Sequence, residues 1–159
     1  MTEAAQQQRP ALDDARLAAG AEALFGLLHI QAHVVRAIDQ TLDRAHATGL
    51  SGYELLSRLA RMHPDGASVR YLAEQVVVSP SRVSRLADEF VNRGWLERAV
   101  SPHDGRLTLV RLTDGGHTTL AEMEASLGAA LQTHLLDKLD RRQLDSLTGV
   151  ARSLGAPHC

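Results

Sequence analysis

The stretch "SPSRVSRLADEF", residues 79–90, decides how this chain is read. Ser79 followed by Pro80 is a helix start: serine is favoured at the N-cap, and proline at the first helical position gives up an N–H that would have no intrahelical partner. Val83, Leu86, Ala87, Phe90 and Val91 then recur at helical spacing and form one face to bury. Ser81, Arg82, Ser84 and Arg85 lie opposite, and no acid precedes Asp88. A helix start with free N–H groups, a positive dipole end and acid-free Ser/Arg chemistry suits an anion, above all phosphate. Gly94 closes the helix.

Working outward, "WLERAV" (95–100) and "RLTLVRL" (106–112) are short runs of β-formers around the turn residues of "SPHDG". They predict a hairpin with a polar tip. On the other side, "VRYLAEQVV" is a short helix that Ser68 can cap, and "SGYELLSRLARM" is a longer one with Ser51 and Glu54 in capping-box spacing. Two short helices and a two-stranded hairpin make a winged helix-turn-helix. The N-terminal residues of its second helix would face base edges in a major groove. Arg85, one turn in on the exposed face, is placed for a bidentate contact to guanine.

The flanks are helical. From Asp14 to Ala47, Leu17, Ala21, Leu24, Leu28, Gln31, Val35, Ile38 and Leu42 alternate spacings of three and four, a heptad-like stripe too apolar to stand alone. Thr113 caps a fifth helix carrying Leu120, Met123 and Leu127; Asp140 with Gln143 starts a sixth. The expected fold class is mainly α with a small β-hairpin wing. The expected division is a flexible N-terminus over 1–13, a long N-terminal helix over 14–47, a DNA-binding domain over 48–112 and C-terminal helices over 113–159.

Composition narrows the function. Aromatics at 3% exclude a stacking platform for single-stranded nucleic acid. No apolar run is expected to approach a membrane span of about 20 residues, the start has no signal-peptide pattern, and the one cysteine, Cys159, fits a cytoplasmic chain. The net charge of -2 hides a contrast: residues 79–111 carry six basic and four acidic side chains, the only positive segment in an otherwise acidic or neutral chain. That is a phosphate-facing patch or a chance excess.

Residues 72–116 resemble the MarR family of bacterial transcription regulators. The resemblance is carried by Asp104, Gly105 and Arg106, which match the family's Asp-x-Arg in the wing, and by Arg85, "NRGWLER" ending in Arg98, and "LTDGG". With the flanking helices it covers about residues 14–155. Val77 stands where many relatives have glycine, so the turn between the two short helices is expected to differ. The resemblance implies a homodimer, formed by the helices of 14–47 and 113–159, on a pseudo-palindromic double-stranded DNA operator, with recognition helices in successive major grooves and wings in minor grooves. Arg106 would be the minor-groove arginine, and Asp104 would orient a neighbouring arginine. Ser68, Ser79, Ser81, Arg82, Ser84, Arg85, His103, Asp104 and Arg106 form the expected DNA-binding set. His103 is a phosphate contact or a solvated tip residue; Arg98 is a DNA contact or half of a salt bridge. The implied regulator is a repressor released by a small-molecule effector, in a cleft for which His29, His33 and Tyr53 are the candidates.

Eight histidines raise a metal question. His29 and His33 share a helix face, but Ile30 stands where a zinc protease motif has glutamate. No CxxC and no second close His pair exist. No metal site or cofactor is assigned, and a zinc-responsive regulator using His29 and His33 is the alternative. No nucleophile motif or phosphate loop is present, so no enzyme is expected. A helical dimer that binds protein remains the reading from another class; it would not need arginines on both the helix start and the wing tip.

Overall fold

A computed structural model describes residues 13–63, 65–102 and 104–155. The order is α1 (Asp14–Ile30), a π-helical turn (Gln31–Val35), α2 (Arg36–His46), α3 (Leu50–Met62), α4 (Val69–Gln75), α5 (Pro80–Asn92), β1 (Leu96–Val100), β2 (Thr108–Leu112), α6 (Asp114–Leu131), a second π-helical turn (Gln132–Leu136) and α7 (Arg141–Ser153). The chain divides into two units, the first ending at Arg36 and the second beginning at Ala37.

The first unit is helix α1 with its π turn. Asp13 caps it, accepting the Arg16 N–H at 2.6 Å. None of its described residues is buried, and Leu24, Phe25 and Leu28 are more than half exposed. The sequence predicts one uninterrupted α-helix here, whereas Gln31–Val35 is a π turn. An inserted π turn shifts the phase of whatever stripe follows it. A second correction concerns apolarity: the helical run Asp14–His46 is long and apolar enough to cross a membrane by length and composition alone, with a mean hydropathy of 1.2 in its most apolar window. A search for an uninterrupted apolar run misses it, because Glu22, His29, Gln31 and His33 break the run without lowering the mean far.

The second unit holds the core. Ile38 and Leu42 of α2, Leu55, Leu56 and Leu59 of α3, Leu72 of α4, and Val83, Leu86 and Phe90 of α5 are buried. Each such side chain contributes roughly 1.5–3 kcal/mol by leaving water. Leu96 and Val110 of the hairpin and Leu120 and Met123 of α6 close the cluster. The hairpin is antiparallel, from Leu96 opposite Leu112 to Val100 opposite Thr108. Both strands are shorter than their β-forming runs: Trp95, Arg106 and Leu107 lie outside them. Ala67 adds a bridge the sequence did not announce. Its N–H and C=O pair with Val110 at 3.0 and 2.8 Å, just after Gly66 turns the chain at φ 97°.

The capping signals fare unequally. Ser68 accepts the Tyr71 N–H at 3.2 Å, Thr113 the Gly116 N–H at 3.0 Å, and Asp140 with Gln143 forms a full capping box. Ser51 does not cap α3. That helix starts one residue earlier, and its first N–H, from Leu50, goes to Asp39 Oδ1 of α2 at 2.8 Å. A carboxylate from the neighbouring helix takes the place of a local serine, tying α2 to α3. Glu54 serves elsewhere, accepting from Arg58 at 3.3 Å and from the Val77 N–H at 3.4 Å. Val77 keeps a negative φ, so the turn before α5 avoids the left-handed region that a β-branched residue resists.

Candidate nucleic-acid interface

The surface begins at the start of α5. Ser79 occupies the N-cap in extended conformation, φ -63° and ψ 149°, with Pro80 following. Its hydroxyl does not close onto the helix; it sits 3.2 Å from the Ser81 hydroxyl, and both are exposed. Arg82 is exposed. Arg85 donates through Nε to the Ser81 carbonyl at 3.4 Å, which lays its stem back toward the helix start. Of the five residues expected on the buried face, Val83, Leu86, Ala87 and Phe90 are buried and Val91 is half-buried, so burial itself forces Arg82 and Arg85 outward.

Helix α4 flanks this start. Val69, Arg70, Ala73 and Glu74 of α4 and Pro80 and Ser84 of α5 line an open groove of about 460 Å³, which sets α4 beside the start of α5. Ser68, just before α4, thus belongs to the same end of the motif, though its hydroxyl oxygen is engaged in the cap. The O–H can still donate.

Six arginines lie between residues 79 and 111, and the structure sorts them. Arg93 pairs with Glu89, Arg98 with Asp88 at 2.5 Å, and Arg111 with Glu97 at 2.6 Å. Arg82, Arg85 and Arg106 have no carboxylate partner among the described residues. The two acids of α5 are thus neutralised by cations behind them, while the cations at its start keep their charge for something outside. Arg98, left open between two roles by the sequence, is the salt-bridge partner. In the wing tip, Asp104 Oδ1 accepts the Arg106 backbone N–H at 2.9 Å, and the Leu107 N–H returns to the Asp104 carbonyl at 2.9 Å. Asp104 therefore shapes the turn that presents Arg106 rather than pairing with its guanidinium. His103 lies outside the described residues.

Sequence reasoning missed Arg93. Its guanidinium donates to the carbonyls of His46 and Ala47, both at 2.9 Å, and to Glu89, with its centre 4.7 Å from that of the Trp95 ring. Only the long separation hid it: nothing local in "VNRGW" announces partners at the end of α2.

The effector candidates fall in different units. His29 and His33, in the first, face each other with ring centroids 4.2 Å apart. Tyr53, in the second, packs half-buried against the core. No group of three His, Cys, Asp or Glu side chains suited to a metal occurs among the described residues.

Residues 53–107 match the MarR family's sequence profile. An uncharacterised HTH-type transcriptional regulator of Bacillus subtilis, YhbI, is 33% identical over 95 residues, covering 59% of this chain and 61% of its own length. The transcriptional repressor MprA of Escherichia coli is 34% identical over 76 residues, covering 48% of this chain and 43% of its own length. The chain thus spans less than two thirds of the length of these relatives. Among solved structures, Sco3205 of Streptomyces coelicolor, a MarR family transcriptional regulator in complex with DNA, superposes with a TM-score of 0.80 at 22% identity, over 92% of this chain and 90% of its own.

Proposed function

We propose that the chain is a regulator of the MarR kind, whose profile residues 53–107 match, and that it acts as a sequence-specific double-stranded DNA-binding transcription regulator. The carrying observation is the sorting of arginines: Arg98, Arg111 and Arg93 are spent on carboxylates, while Arg82, Arg85 and Arg106, on helix start and wing tip, have no carboxylate partner among the described residues. Unpaired guanidiniums at an acid-free helix start gain by replacing the condensed counterions of a phosphate backbone. A protein-binding scaffold has no use for that arrangement.

The working form is a homodimer. Phe25 and Leu28 of α1, Val150 of α7 and Leu154 just past its end are mostly exposed, and neither α1 nor α7 buries a residue. Apolar surface of that kind is covered in a stable protein, and a second copy is the occupant we assign. Sedimentation at micromolar concentration should give twice the chain mass; a monomer, or a protein recovered only with detergent or lipid, would contradict this. Repression relieved by a small effector is the mode we assign, through a change in the spacing of the two recognition helices.

Selection of bound sites from random double-stranded DNA by the purified protein, with and without chelator, tests the proposal. It should enrich an inverted repeat with half-sites about one helical turn apart, equally in both arms. No enriched sequence would refute DNA recognition. Enrichment lost with chelator and restored by zinc would favour the metal-responsive regulator, with His29→Ala and His33→Ala as the variants to check.

A further inference from the structure

We propose that Arg93 is a positioning residue for DNA recognition: it fixes the tilt of α5 against the last turn of α2 and so sets the half-site spacing the protein accepts. This rests on the reading of α5 as the DNA-facing helix of a dimer. A helix end leaves carbonyls without intrahelical partners. At the end of α2, Ala47 turns the chain in the left-handed region, φ 52°, where a non-glycine residue is uncommon, and its N–H closes on the Asp43 carbonyl at 2.8 Å. The carbonyls of His46 and Ala47 are then both taken by the Arg93 fork, one on each terminal nitrogen. A planar guanidinium holds two acceptors in fixed mutual geometry, which a lysine ammonium does not.

The corner around it is built to resist movement. Asp39 holds Leu50 at 2.8 Å, and His46 Nε2 lies 2.9 Å from the Ser126 hydroxyl of α6. Gly52 approaches so closely that a Cβ there would stand 2.1 Å from Thr48 Oγ1 and 2.9 Å from the Phe90 ring. The end of α5 is therefore clamped to the end of α2, while Val83 and Leu86 seat its start on the core and leave Arg82 and Arg85 facing outward. The lever is long. At 1.5 Å per residue, the 13 residues of α5 extend roughly 20 Å, so a tilt of about 10° at Arg93 moves the far end by roughly 3 Å. That is on the order of one base-pair step, and in a dimer both ends move. Arg93 itself is not available to DNA, since the His46 and Ala47 carbonyls, Glu89 and the Trp95 face surround it.

The test uses the selected operator with its half-sites respaced by one and two base pairs, and measures affinity by titration for wild type, Arg93→Gln and Arg93→Lys, with melting followed by circular dichroism. Wild type should prefer one spacing. Arg93→Gln should shrink that preference by about tenfold, the scale of one charge-assisted hydrogen bond, while keeping discrimination among single-base variants within a half-site. Arg93→Lys, which keeps the charge and stem, should fall between, and carries the comparison if the glutamine variant does not fold. Unchanged spacing ratios in both variants, or a uniform loss over all spacings, would overturn the inference. A wild type that binds none of these DNAs would instead overturn the DNA-binding reading on which it rests.

Discussion

Arg82 and Arg85 at the start of α5 and Arg93 just past its end share one chemistry and differ in what stands within reach. Around Arg93 are two backbone carbonyls, a carboxylate and an indole face. Around the first pair there is serine, solvent and one carbonyl of their own helix. The wing repeats the contrast, with Arg98 held by Asp88 and Arg106 presented by a turn. The lesson is that a basic residue's role in such a motif is fixed by its distance from the acids and helix ends behind it. On the function proposed above, the fixed arginines would give the free ones a defined position from which to read DNA.

The contrast can be broken most severely at its anchored end. Phe90 is fully buried beneath the α2–α3 corner, so Phe90→Ala should cost roughly 3–5 kcal/mol in denaturant unfolding. A loss much smaller than that would mean the end of α5 is not clamped. Gly52→Ala should cost roughly 1–3 kcal/mol, as overpacking does, because the new methyl must displace Thr48 or the Phe90 ring. Retained stability would show the corner to be loose.

Smaller changes sharpen the comparison within the wing. Arg106→Ala should reduce the dependence of log affinity on log salt by about one unit per wing and weaken binding alike on all sequences. Arg98→Ala, which removes a half-exposed pair with Asp88, should cost only about 0.2–1 kcal/mol of stability and leave the salt dependence unaltered. Titrations at several salt concentrations compare the two, and a steeper effect from Arg98 would reverse their assigned roles.

What the sequence made legible follows from local rules. The Ser79–Pro80 start, the stripe of Val83, Leu86, Ala87 and Phe90, and the Asp140–Gln143 box are all decided within one or two helical turns, and they appear as read. The features that escaped are long-range. Asp39 capping α3, Arg93 capping α2 and Ala67 pairing with Val110 each join residues 11 to 47 positions apart. No periodicity records such a pairing. The π turn at Gln31–Val35 escaped for another reason: it adds a residue to the turn without altering the composition that signals a helix. At the interface, the chemistry of Arg82, Arg85 and Arg106 was visible, whereas their freedom became visible only once Arg93, Arg98 and Arg111 were seen to be engaged.

The most direct test is Arg85→Ala in competition gel shifts against operators altered one base at a time. A guanidinium reading guanine contributes roughly 1–3 kcal/mol of discrimination at its position. The variant should therefore lose preference at one position in each half-site and keep it elsewhere. Equal losses on every operator would show that Arg85 touches only phosphate, and would contradict base reading by the free end of α5.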